Sequence, residues 1–235
     1  MKKENSVQSN ISASPEPVLT ETPEGLTLIG PDGLSVRGDF TKMKKRLKGG
    51  IIGTEMLPRA AKLKGGPANP LAIDATAGLG EDSILLAAAG FRVWMFERNE
   101  VIAALLKDAL RRAREDAELL PIVSRMELIG NDSIEGMKHL SERPDVVFLD
   151  PMFPERKKSA LIKKKFQLLH ELEEPCKEET ELLEAAIAAG PRKVVVKRPE
   201  KGEYLAGRKP DYSLPGKAIR YDCFVFSRND GENGK

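Results

Sequence analysis

Cysteine is nearly absent from this 235-residue chain, which has only Cys176 and Cys223. Neither has neighbours at metal-ligand spacing. That excludes a zinc ribbon or a disulfide framework and predicts free thiols in a reducing, cytoplasmic setting. Cys223 sits in an apolar strand pattern, where a thiol packs as a small hydrophobe. Histidine is as scarce, with His139 and His170; both read as surface residues, and no metal site is expected. No apolar run approaches a bilayer span, so no membrane partner is expected. Met1-Lys2-Lys3 continues into polar residues without an apolar core, so no secretory signal is expected. No internal repeat is visible. Apolar residues make up 40% of the chain, enough for one sizeable core, or one core and a small appendage.

Net charge is small, at +2, but unevenly spread. Residues 37–66 hold nine Lys/Arg against Asp39 and Glu55, and residues 155–170 hold six against Glu155. Residues 190–220 hold nine against three acids, whereas residues 171–184 carry seven Glu against Lys177. Segregated basic segments in a near-neutral protein point to a face that meets a polyanion, although any one segment alone reads equally as solvated surface.

Three regions follow from the pattern. Residues 1–25 are polar and aperiodic, a flexible tail. Residues 26–70 form an N-terminal extension: Leu26 and Leu28, then Leu34 and Val36, alternate about Asp32-Gly33 as a hairpin, and a basic, partly helical stretch runs to a Gly/Pro-rich linker. From residue 71 to 228, short apolar strands (71–75, 92–97, 125–129, 145–150, 193–198) alternate with helices (81–89, 99–117, 133–141, 159–172, 178–189). Buried strands alternating with helices imply a doubly wound, Rossmann-like parallel sheet. Residues 220–226 add a last strand, and its short connection predicts antiparallel pairing at that edge.

Ligands of such sheets bind beyond the carboxyl ends of the strands, where the strand order reverses. Asp74 ends the first strand, and Gly78 and Gly80 let the backbone pass close to a ligand. Glu81 and Asp82 open the next helix. Glu97 ends the second strand, near the offset at which an acid accepts ribose hydroxyls. A dinucleotide fingerprint needs a third glycine where Ser83 stands, and two carboxylates at a helix start disfavour pyrophosphate. They suit a cationic, phosphate-free ligand, S-adenosylmethionine (SAM); as an alternative, both acids simply complement the helix dipole. Arg98 is placed to border the adenine. Asp132-Ser133 follows the third strand, where Asp132 can accept the adenine amine, cap the next helix, or do both.

After the fourth strand comes Asp150-Pro151-Met152-Phe153-Pro154. Proline removes a donor, leaving the Asp150 carboxylate and nearby carbonyls as acceptors, with Phe153 as a stacking edge. This suits a planar exocyclic amine, oriented rather than deprotonated before methyl transfer. Asp150, Pro151 and Phe153 are therefore the catalytic candidates. Arg156, Lys157, Lys158, Lys163, Lys164, Lys165, Lys197 and Arg198 are the candidates for phosphate contact, with RNA favoured because looped bases extrude readily.

The motifs at 74–80 (Asp-Ala-Thr-Ala-Gly-Leu-Gly), 97–99 (Glu-Arg-Asn), 149–154 (Leu-Asp-Pro-Met-Phe-Pro), 157–161 and 194–199 (Val-Val-Val-Lys-Arg-Pro) resemble the RsmJ family, SAM-dependent small-subunit ribosomal RNA guanine-N2 methyltransferases. The resemblance spans about residues 35–226. It implies SAM contacts at Glu81-Asp82, Glu97-Arg98, Asp132-Ser133 and Asp150, with small-subunit (16S) rRNA or the 30S particle as partner. The family often carries a basic residue where Glu81 stands. The residues themselves leave other acceptors open, adenine-N6 or a protein side chain, and also a non-catalytic RNA-binding assembly factor.

Overall fold

The alternation of strands and helices becomes a seven-stranded sheet in the computed structural model, which describes residues 16–130, 132–151 and 178–227. The chain begins outside that sheet. Strands β1 (Val18–Thr22), β2 (Gly25–Ile29) and β3 (Ser35–Val36) form a separate antiparallel sheet in that order. The hairpin about Asp32-Gly33 is β2–β3, closed by Gly33 N–H to Gly30 O. Val18–Thr22 falls within the stretch read as tail, yet it pairs residue for residue with β2. Its neighbours are polar, so it shows no apolar alternation of its own; backbone pairing with β2 holds it.

Residues 40–61 fold into a 3-10 turn (Phe40–Met43) and three short helices, α1 (Lys44–Leu47), α2 (Gly49–Ile52) and α3 (Met56–Ala61). Their apolar residues Phe40, Met43, Leu47, Ile52, Leu57 and Ala60 join the core on one face of the main sheet. Lys193 ties this extension down, its buried Nζ donating to the carbonyls of Ala60 (2.9 Å) and Lys62 (2.7 Å) at the end of α3.

The main sheet comprises β4 (Leu71–Asp74), β5 (Arg92–Phe96), β6 (Met126–Gly130), β7 (Val146–Leu149), β8 (Lys193–Pro199), β9 (Tyr212–Pro215) and β10 (Ile219–Val225), in the order β6-β5-β4-β7-β8-β10-β9. The first five are parallel; β10 runs antiparallel between β8 and β9. Every residue of β4 and β7 is buried, as both faces are covered. Helices α4 (Glu81–Ala88), α5 (Glu100–Arg114), α6 (Leu120–Val123), α7 (Ser133–Gly136) and α8 (Glu179–Ala188) complete the layers. Asn99 caps α5 by accepting from Val101 and Ile102 N–H.

Two departures from the sequence reading matter. The helix expected over 133–141 stops at Gly136 and continues as a 3-10 turn to His139. The edge strand β9 was not foreseen: four residues ending in Pro215 carry little strand signal, and an edge position tolerates the missing donor. The helix expected at 159–172 lies outside the described residues.

Candidate active site

The strand order reverses between β4 and β7, and the loop Ala75–Gly80 crosses that point. Its backbone is stitched to both neighbours: Ala75 N–H donates to Phe148 O (3.1 Å) and Ala77 N–H to Phe96 O (2.9 Å). Groups from three strand ends then meet it, two carboxylates and one backbone N–H. Asp74 Oδ1 accepts Thr76 N–H at 3.1 Å. Glu97 Oε2 accepts Gly78 N–H at 2.8 Å. Thr76 Oγ1 accepts Asp150 N–H at 2.7 Å. Asp74 and Glu97 thus bind the loop through their carboxylates, and Asp150 through its backbone N–H.

Their roles in that arrangement differ. Asp74 is 1% exposed, and its second oxygen accepts the Ser83 hydroxyl at 2.5 Å. Burial, reinforced by the nearby Asp82 and Asp150 charges, pushes its carboxyl up to about 7. Asp74 shapes the turn from within and is closed to solvent. Glu97 accepts Gly78 N–H on Oε2 and Asn99 N–H on Oε1 at 2.8 Å, with Arg98 N–H also directed at the carboxylate. Burial raises its carboxyl despite those bonds.

The two glycines also differ. Gly78 and Gly80 both have positive φ, +54° and +79°. A Cβ on Gly78 meets nothing within 4 Å, whereas one on Gly80 meets Leu106 Cδ1 at 2.8 Å and Phe40 Cζ at 3.0 Å. Gly78 therefore borders open space, while Gly80 is required by packing against the protein itself rather than by a ligand.

Asp82, in the first turn of α4, and Asp150, just past β7, share one cation. Lys197 Nζ lies 2.7 Å from Asp82 Oδ2 and 2.7 Å from Asp150 Oδ2. The sequence places Lys197 on the rim as a phosphate contact; its ammonium instead lies between the Asp82 and Asp150 carboxylates. Arg198 departs from the same expectation: it is 5% exposed, donating to Glu203 O (2.8 Å) and Glu179 (3.3 Å). The sequence reading also gave no role to Thr76 and looked at Ser83 only as a missing glycine. A lone hydroxyl at the start of the otherwise apolar run Ile84–Ala88 was the signal for Ser83.

Around this centre, Glu81 is exposed and Pro151 buried. Arg98 is largely exposed and paired with Glu178 at 3.2 Å. Asp132 caps α7, accepting Glu135 N–H at 3.0 Å, with Ser133 as the first helical residue. Phe153, Arg156, Lys157, Lys158, Lys163, Lys164 and Lys165 lie outside the described residues. Among the described residues, no helix is long and apolar enough to cross a membrane.

The donor set fits SAM. Gly78 leaves room beside the loop, and Glu97 offers acceptors next to it. Asp82, Asp150 and Lys197 present both signs of charge, as an amino-acid zwitterion requires. With carboxylates in its first turn, α4 offers no bare cradle for pyrophosphate. Sheet order, glycine loop and ringed acids together define a class I SAM-dependent methyltransferase. The family model for SAM-dependent methyltransferases matches residues 7–226. The ribosomal RNA small subunit methyltransferase J of Thioalkalivibrio sulfidiphilus is 46% identical over 73% of this chain and 68% of its own. That of Pseudomonas fluorescens is 44% identical over 86% of this chain and 79% of its own. The chain belongs to this ribosomal RNA small subunit methyltransferase J family. A crystal structure of a SAM-dependent methyltransferase from Neisseria gonorrhoeae superposes with a TM-score of 0.74 at 31% identity, covering 96% of this chain and 90% of that one. An rRNA methyltransferase from Streptomyces viridochromogenes shares the fold, with a TM-score of 0.51 at 16% identity over 74% of this chain and 83% of that one.

Proposed function

We propose that the protein transfers a methyl group from SAM to the exocyclic N2 of a guanine in small-subunit (16S) rRNA, free or in the 30S particle, in the cytoplasm. The observation that carries this reading is the convergence of Asp74, Glu97 and Asp150 on the loop 75–80, in a chain whose relatives are named as small-subunit rRNA methyltransferases. SAM supplies, when bound, a methyl group activated by a sulfonium.

The chain's own residues divide the remaining work. Glu97 accepts ribose hydroxyls with its spare lone pairs, and the open side of Gly78 admits the ligand. Glu81 and Asp82 meet the ligand's amino-acid end. Arg98, Asp132 and Ser133 border the adenine. Asp150 Oδ1, which has no partner among the described residues, accepts an N–H of the acceptor amine, and carbonyls near Pro151 accept the other. A guanine amine is a poor nucleophile because its lone pair is delocalised. Accepting both its hydrogens aims that lone pair at the methyl group, so orientation does most of the work, and the proton that N2 sheds on methylation passes to Asp150 Oδ1 and on to water. Phe153 stacks on the extruded base, and Arg156, Lys157, Lys158 and Lys163–Lys165 meet the flanking phosphates. Asp74 takes no ligand contact and holds the loop.

The test is mass spectrometry of nuclease-digested rRNA after incubating the protein and SAM with small-subunit particles that lack the mark. One added N2-methylguanosine per particle is expected. Methyladenosine or methylated ribosomal protein in its place refutes the guanine assignment, and no transfer to any component refutes rRNA methylation.

A further inference from the structure

We infer that Lys197 is a positioning residue of the transfer reaction, whose ammonium holds the Asp150 carboxylate ionised and fixed in orientation so that it can accept from the incoming amine. The inference rests on the methyl-transfer reading above. Lys197 stands between the carboxylates of Asp82, in the first turn of α4, and Asp150, just past β7. Its Nζ is 2.7 Å from Asp82 Oδ2 and 2.7 Å from Asp150 Oδ2, so it both pins Asp150 and neutralises the repulsion between the two acids. Only one Asp150 oxygen is used this way, which leaves Oδ1 for the acceptor.

Asp74 shows what happens without such a cation. It stands at the end of the adjacent strand β4, its carboxyl bonded to neutral donors alone among the described residues, and burial, with the nearby Asp82 and Asp150 charges adding, pushes it up to about 7. A protonated carboxyl donates from one oxygen and loses acceptor capacity. Burial pushes Asp150 up too, and Asp82 adds to that, but Lys197 opposes both. The cation is itself well held. Burial disfavours its charge, yet Asp82 and Asp150 together keep it protonated far beyond neutral pH. Tyr221, opposite Lys197 in the β8–β10 pair and therefore on the same face of the sheet, is buried with its ring 6.4 Å from that of Phe148. Among the described residues, the charged and titratable groups facing Asp150 are Asp74 and Asp82 from β4 and α4, Lys197 and Arg198 from β8, and Tyr221 from β10.

The experiment compares wild type, Lys197→Met and Lys197→Arg in two measurements. One is kcat against pH on unmethylated small-subunit particles. The other is a 13C NMR titration of the side-chain carboxyls in the cofactor-free protein, with Asp150→Asn to assign the resonance. Removing the cation raises the pH at which Asp150 ionises. Lys197→Met is expected to move the acid limb of kcat and the carboxyl midpoint up together by about one to three pH units. Its deficit then shrinks as pH rises, while KM for the particle stays within about threefold. Lys197→Arg keeps both near the wild-type position. A limb and midpoint unmoved in Lys197→Met, or an equal loss at every pH, overturns the inference. Should wild type transfer nothing to the particle, the function reading fails, and the carboxyl titration still decides the role of Lys197.

Discussion

Gly78 and Gly80 share a loop and a positive φ, yet replacing each with alanine has separable consequences. At either position alanine enters the left-handed region, at a cost of about 1–2 kcal/mol. At Gly78 the new Cβ meets nothing within 4 Å, so that is the whole cost to folding. At Gly80 it meets Leu106 Cδ1 at 2.8 Å and Phe40 Cζ at 3.0 Å. Leu106 is buried in α5, and Phe40 anchors the N-terminal extension in the same core, so neither can withdraw freely. Overpacking adds about 1–3 kcal/mol there. In a chain of this size 1 kcal/mol moves the melting temperature by about 2–4 °C. Thermal unfolding is therefore expected to show Gly78→Ala within about 2–8 °C of wild type, and Gly80→Ala lower than Gly78→Ala by at least about 2 °C. Calorimetric titration with SAM is expected to reverse the order: the Gly78 methyl enters the space assigned to the ligand and weakens binding more than Gly80→Ala does. Equal melting temperatures would refute the packing argument at Gly80. Unchanged SAM affinity in Gly78→Ala would refute the placement of the ligand.

Two further outcomes test the frame around the site. Asp74 is buried with its carboxyl raised from 3.8 to about 7, so its contribution to stability is complete below about pH 4 and is lost as pH rises toward 7. Asp74→Asn removes that loss, and urea unfolding is expected to show the variant gaining on wild type by up to about 4 kcal/mol between acid and neutral pH; a constant difference across that range contradicts the assignment. Lys193→Met removes two charge-assisted bonds to the end of α3. It is expected to cost about 2–3 kcal/mol and to speed hydrogen exchange at amides 40–61 more than in β4 and β7. Uniform or absent acceleration would mean that the apolar contacts alone hold the extension.

Much of this architecture was legible in local pattern. Leu71–Asp74 and Val146–Leu149 are continuous apolar runs with acids close behind, because central parallel strands are buried on both faces and their carboxyl ends open onto a ligand. Asn99 before Val101 and Ile102 marks the start of α5 by its side-chain chemistry alone. The glycine loop, the acids at 74, 97 and 150, and the antiparallel return at the C-terminal edge follow from periods and turn residues a few positions long. Strand β1 and strand β9 did not, because each is held by its partner's backbone and carries little pattern of its own.

The amino-acid order by itself determined the sheet, the loop and the set of acids at its rim. Only the tertiary structure decided which of those acids is paired. Lys197 is 115 residues from Asp82 and 47 from Asp150, and no local period links them. They meet because β8 lies beside β7 while α4 begins across the same crevice. Strand neighbourhood, a long-range choice, thus turned a basic residue that looked ready for phosphate into the counter-charge of two carboxylates.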